Sequence, residues 1–187
     1  MPERLIVTQP SLQTLAENHD RHAAEKMQAQ REAKVAKEWG DLSENAEYKA
    51  SKEKFRLAGR LQQRMVRELK GLDAVGYIIV NPLDWARTSL TITTIEVGVV
   101  VKISQNGFAE DYLLVGAKDQ HLPTDRALVP VPYTSPLGSV LFGKTVPQQL
   151  DALIAGELRK LELMSLRTPT LEEVLEFYPE LTPQSDR

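Results

Sequence analysis

The sequence predicts an α+β protein: an N-terminal antiparallel α-helical coiled-coil hairpin, a β-rich globular domain and a short helical tail. Three observations predict it. Two long stretches almost free of Gly and Pro flank Gly40. Beyond Leu72 the texture changes to β-branched and aromatic runs separated by Asn, Pro, Asp and Gly. Near the end, Thr170 and Glu173 form a T-x-x-E pattern ahead of a small apolar face. The expected domains are residues 1–74, 75–166 and 167–187.

From Ser11 to Glu38 there is no breaker, and Ala, Glu, Lys, Gln and Arg dominate. These residues lose little side-chain entropy in a helix. The expected apolar stripe is Leu12, Leu15, Ala16, His19, Ala23, Met27 and Gln30. A second helical stretch runs from about Glu44 to Lys70, with only Gly59 inside it. Tyr48, Phe55, Ala58, Met65, Leu69 and Leu72, with Gln62 filling a gap, follow the 3-4 spacing of a coiled-coil seam. A connection this short makes the two helices antiparallel neighbours. At 1.5 Å per residue, some 28 residues give an arm of roughly 40 Å with a polar turn at its end.

"VGYIIV", "LTITTIEVGVVVKI" and "DYLLVG" read as strands. "LVPVPYTSPLGSVLFGK" reads as a loop leading into a short helix, with Ser135-Pro136 as the turn or helix start. After Leu150 the pattern conflicts with itself. Leu150, Leu153, Ile154, Leu158 and Leu161 have helical spacing, yet Leu161 and Leu163 alternate with Lys160 and Glu162, and Gly156 suits a hairpin turn. Periodicity leaves helix and hairpin both open. In the tail, Leu171, Val174, Leu175 and Tyr178 form one face, and Pro179 ends that helix.

Composition narrows the function. The 187 residues contain no cysteine, which removes disulfides, thiolate metal sites and thiol catalysis. No apolar run approaches the roughly 20 residues of a membrane span, and the start lacks a secretion signal. Cytoplasm is the expected compartment, with no membrane partner. The net charge is −3, unevenly spread: residues 11–72 hold 13 Lys/Arg against 10 Asp/Glu. Such a basic arm on an acidic body points to a polyanion near the arm.

The turn "GDLSENAEY" holds Asp41 and Glu44, and two readings remain open there. As a D-x-x-E capping arrangement, the acids would satisfy a helix N-terminus. As metal ligands, they are hard oxygen donors of the kind Mg²⁺ takes, one or two at a time, alongside water and phosphate. Two acids cannot hold such an ion alone, but they could complete a site belonging to a partner. On the second helix Lys49, Lys52, Arg56, Arg60, Arg64, Arg67 and Lys70 fall in a stripe about 120° wide, with Glu53 as its acid. A solvated outer face and a track for phosphates both fit it. His19 and His22 have a metal-compatible spacing but no third ligand nearby. Trp39 and Tyr48 flank the turn, where they seal the coiled coil or stack on a nucleotide. There is no phosphate-binding glycine loop and no Ser/His/Asp arrangement.

"GDLSENAEYKASKE" resembles the tip motif of the bacterial Gre transcript-cleavage factors, and "YTSPLGSVLFGK" resembles the Ser-Pro segment of their C-terminal domain. The two lie about ninety residues apart in family order. Leu42 and "NAEY" look more like the GreA branch than the GreB branch. The resemblance implies an FKBP-like C-terminal domain and a β-hairpin after Leu150. It implies RNA polymerase as partner, entered through its secondary channel by the coiled coil. By position, Asp41 and Glu44 would help hold a shared Mg²⁺ and position a water, so that the polymerase itself cleaves the RNA of a backtracked complex. Lys49, Lys52 and Arg56 would lie near the nascent RNA 3′ end, and Ser135 and Pro136 in the polymerase-docking segment. No activity is expected of the isolated chain, which is expected to be a monomer. "NPLDWARTSLTITT" departs from the family pattern. Residues 167–187 extend past its usual end and are expected to dock on the globular domain, with contact to a partner as the alternative.

Three other functions stand as alternatives. A Gre-like inhibitor would enter the same channel and block it. A coiled-coil adaptor would use the turn only structurally. A self-contained metal nuclease would need more than two carboxylates.

Overall fold

The computed structural model describes residues 4–38, 46–87, 92–154 and 156–182. They form an α+β protein in two compact units, one of residues 13–76 and one of residues 1–12 with 77–187.

In the first unit, α1 (Gln9–Glu38) and α2 (Ala46–Val75) run antiparallel. Lys26 meets Gln62, whereas Glu32 meets Lys54, so partners fall in α2 as they rise in α1. The α2 seam matches expectation, with Ser51 added: Tyr48, Ser51, Phe55, Ala58, Gln62, Met65, Leu69 and Leu72 all face inward. The α1 stripe needs correction. Leu12, Leu15, His19 and Ala23 are at least half-buried as expected, but Ala16 and Gln30 are exposed and Met27 is 56% exposed, while His22, Lys26, Ala29, Ala33 and Ala36 turn inward. Steps of four from His19 through Ala23 to Met27 drift around a 3.6-residue helix, while the true seam alternates threes and fours. Lys26 fits a seam position by laying its stem along α2, with its ammonium 5.7 Å from the Phe55 ring.

The second unit opens with β1 (Leu5–Thr8), which pairs in parallel with β2 (Tyr77–Val80). Nothing in "LIVT" distinguished this strand from a helix approach. Thr8 accepts the Ser11 N–H, an N-cap contact at the start of α1. The buried Asp119 carboxylate accepts from both the Thr8 and Ser11 hydroxyls. Burial pushes the Tyr178 phenol far up, and the nearby Asp119 charge adds to this.

A five-stranded sheet follows in the order β5-β4-β3-β7-β6. Its strands are β3 (Val100–Gln105), β4 (Phe108–Val115), β5 (Leu128–Pro132), β6 (Gln148–Ile154) and β7 (Glu157–Arg167). The β4–β5 pair is parallel and the others are antiparallel. Leu150–Leu166 therefore form a hairpin rather than a helix, turning at Gly156 with φ +85°. Leu153 and Leu158, which made the helical spacing, are cross-strand partners and stay exposed. "LVPVP" is a strand, not a loop; Pro130 and Pro132 are tolerated because β5 is a sheet edge. Of "LTITTIEVGVVVKI", only the last part enters β3; Thr94 makes an isolated bridge to Thr145. "NPLDWART" begins with a short helix, α3 (Pro82–Arg87).

Each sheet face has its core. One gathers Ile95, Val101, Ile103, Leu114, Tyr133 and Leu141 against α4 (Pro136–Leu141). The other gathers Trp85, Val100, Leu113 and Val115 against Val174, Phe177 and Tyr178 of the tail. The tail helix, α5 (Leu171–Phe177), carries the expected capping box of Thr170 and Glu173. Arg167 grips Glu173 with both guanidinium nitrogens at 2.8 Å and reaches Asp111 at 3.3 Å. Arg167 beside Glu173 holds that carboxyl below the ordinary glutamate range. The unfolded chain binds the proton more readily, so the contribution is complete above an ordinary glutamate pKa of about 4.3 and disappears as pH falls through the lower folded value. Arg167→Met is expected to cost about 1 kcal/mol at neutral pH, the upper range for a partly exposed pair. The loss should vanish at acid pH, as read by Trp85 emission in a Trp39→Phe background.

Candidate functional site

Asp41 and Glu44 lie in the connection between α1 and α2, outside the described residues. The described parts of the site begin at the first turn of α2. Lys49, Lys52 and Arg56 are all exposed, and the Lys52 ammonium sits 5.8 Å from the Tyr48 ring. Arg60, Arg64, Arg67 and Lys70 continue the same face, also exposed. Small residues packed between the helices (Ala29, Ala36, Ser51 and Ala58 are buried) let the two backbones approach, which leaves long cations outside. His19 and His22 are part of the seam and pair with Asp20 and Glu25. Among the described residues no group of three His, Cys, Asp or Glu could hold a metal.

Ser135 is the N-cap of α4, its hydroxyl accepting the Gly138 N–H at 3.1 Å, and Pro136 occupies the first turn. This fixes Pro136 outward and exposed. Beside it opens a cleft of about 390 Å³, with Leu137, Phe108, Tyr112 and Ile154 among its lining residues and with Glu110 and Arg159 at its polar side. Phe108 is 80% exposed. The Tyr112 hydroxyl donates to Glu110. Burial, aided by that bond, pushes the phenol up to about 12. The sequence reading missed this cleft. Its signal was Asn106-Gly107, both with positive φ, which is the two-residue turn that aims Phe108 along the hairpin.

Residues 5–72 match the family described as "Transcription elongation factor, N-terminal". The chain is 30% identical over 137 residues to transcription elongation factor GreA of Syntrophus aciditrophicus (strain SB), covering 73% of this chain and 77% of that protein. This chain belongs to the GreA family of transcription elongation factors. GreA of Flavobacterium johnsoniae is also 30% identical, over 70% of this chain and 75% of its own length. Among solved structures, the GreA factor homolog 1 protein of Thermus thermophilus is 16% identical over 88% of this chain and 99% of its own. The TM-score between the two is 0.35. For this GreA relative, the family match covers α1 and α2 as far as Leu72, and no described helix is long and apolar enough to cross a membrane.

Proposed function

We propose that this GreA-family chain binds RNA polymerase, enters its secondary channel with the α1–α2 hairpin, and stimulates cleavage of the 3′ end of backtracked nascent RNA. One observation carries the reading. In a chain of this family, the D-x-x-E pair of "GDLSENAEY" falls in the seven-residue connection between two antiparallel helices.

Asp41 and Glu44 supply only oxygen ligands, which suits Mg²⁺, and they are too few to hold it unaided. The fit is to an ion shared with the polymerase. Such an ion, when bound, supports the attacking oxygen and offsets charge on the reacting phosphate. The chain's own part is to present the two carboxylates, order the attacking water by accepting its hydrogen bonds, and lay Lys49, Lys52 and Arg56 beside the RNA phosphates. Ser135 and Pro136, held by the α4 cap, would dock on the polymerase together with the neighbouring cleft. The bond is broken in the polymerase's site, and the chain alone cleaves nothing.

Incubation of backtracked elongation complexes with Mg²⁺ and this protein tests the reading. Short 3′ fragments are expected. Slowed elongation without fragments would make it a channel-blocking inhibitor, and no effect on polymerase would leave a structural adaptor.

A further inference from the structure

Asp119 is an acid only 1% exposed, and the mechanism above makes no use of it. It lies between β4 and β5, and its carboxylate reaches the junction of β1 and α1. One oxygen, Oδ1, accepts from the Thr8 hydroxyl at 2.7 Å and from the Ser11 hydroxyl. Thr8 itself accepts the Ser11 N–H, so a single carboxylate fixes the end of β1 and the first turn of α1. The other oxygen, Oδ2, is buried and has no hydrogen-bond partner. A Cβ at Gly116 would come within 2.7 Å of it, so the carboxylate is closely walled on that side. Leaving a buried carboxylate oxygen unpaired is costly, which calls for a donor nearby.

The tail brings one. Tyr178, at the end of α5, is buried, and its hydroxyl also has no partner. Its ring stands edge-to-face 6.0 Å from Trp85 and packs with Val174 and Phe177 into the core that holds Leu113 and Val115. The Asp119 carboxylate and the Thr8 hydroxyl both act on the Tyr178 phenol, which brings the three groups together. We infer that the tail is a clasp on the root of α1: the Tyr178 hydroxyl donates to Asp119 Oδ2, and the same carboxylate holds Thr8 and Ser11 through Oδ1. The outer fastenings of α5 are ion pairs open to solvent, Arg126 with Glu176 and Arg167 with Glu173, which salt weakens. Docking of α5 and fixing of the first turn of α1 are therefore linked. Release of the tail, as by a cut in the link between Arg167 and Thr170, leaves Asp119 half-paired and frees residues 5–12.

Amide hydrogen exchange of the full chain, read by mass spectrometry, tests the clasp. Tyr178→Phe removes the donor and keeps the ring. It is expected to speed exchange at residues 5–12 on the order of tenfold, the loss of one buried bond to a charged acceptor, and to leave β3 unchanged. In an Asp119→Ala background there is no carboxylate to hold, and the same substitution is expected to change residues 5–12 by less than about twofold. Unchanged protection at residues 5–12 overturns the clasp. Equal loosening of β3 also overturns it, since Tyr178 would then be an ordinary core residue. A tenfold effect that persists without Asp119 overturns the choice of acceptor. No polymerase enters the assay, so a failure here leaves the cleavage reading intact, and the absence of cleavage leaves the clasp intact.

Discussion

The Asp41→Asn/Glu44→Gln protein is expected to fold, bind polymerase like the wild type, and release no RNA fragments. Asparagine keeps an N-cap acceptor and glutamine keeps the shape of the capping partner, so the cap reading predicts a cost of at most about 1 kcal/mol and nothing else. The chemical reading separates from it sharply. Groups that act only on the reacting atoms cost on the order of a hundredfold or more in rate when removed, while binding is unchanged. A melting curve, a polymerase-binding isotherm and a fragment assay on the same preparation tell the two apart. A fragment yield within a few fold of wild type returns the turn to a cap.

The second large effect belongs to the Ser135-Pro136 segment, proposed above to dock on the polymerase. A Cβ at Gly138 would lie 2.1 Å from the Pro132 carbonyl oxygen and 2.7 Å from Tyr133 Cα. Both obstacles are backbone, and both belong to β5 or its immediate extension, so neither yields as a side-chain tip would. Gly138 also donates the bond that holds Ser135 as N-cap. Gly138→Ala is therefore expected to destabilise the globular unit by about 3 kcal/mol, at the upper end for forced overpacking, and to abolish polymerase binding. Ser139→Ala, one residue on, is expected to be mild: it loses an exposed hydroxyl's bond to the Pro136 carbonyl. A Gly138→Ala protein that melts like wild type would contradict the account of how Pro136 is presented.

Legibility in the sequence followed side-chain size and local chemistry. The α2 seam was readable because Tyr48, Phe55, Met65 and Leu72 are large; α1 buries Ala29 and Ala36 and half-buries Ala33, whose weak signal yielded to Met27. The tail helix announced itself through Thr170 and Glu173, and its docking put Val174, Phe177 and Tyr178 into a core. The β6–β7 hairpin was not readable from periodicity, because Leu153 and Leu158 face each other at an exposed tip and mimic a helical step. Only the family resemblance chose correctly. β1 and β5 are four and five residues long and pair in parallel with distant partners, which no local pattern encodes. In the candidate site, the Ser135 cap and the exposed cations of α2 were legible in the sequence, the acids Asp41 and Glu44 lie outside the described residues, and the cleft at Phe108 and Tyr112 required the register of three strands.

The central claim is that Asp41 and Glu44 deliver metal-binding oxygens to another protein's active site. Its most direct test is the rate of RNA cleavage in backtracked complexes as a function of Mg²⁺ concentration, with polymerase alone, with wild type, and with the Asp41→Asn/Glu44→Gln protein at saturation. The account predicts that wild type lowers the Mg²⁺ needed for half-maximal cleavage and that the variant returns it to the value of polymerase alone. Identical Mg²⁺ curves for wild type and variant would contradict it.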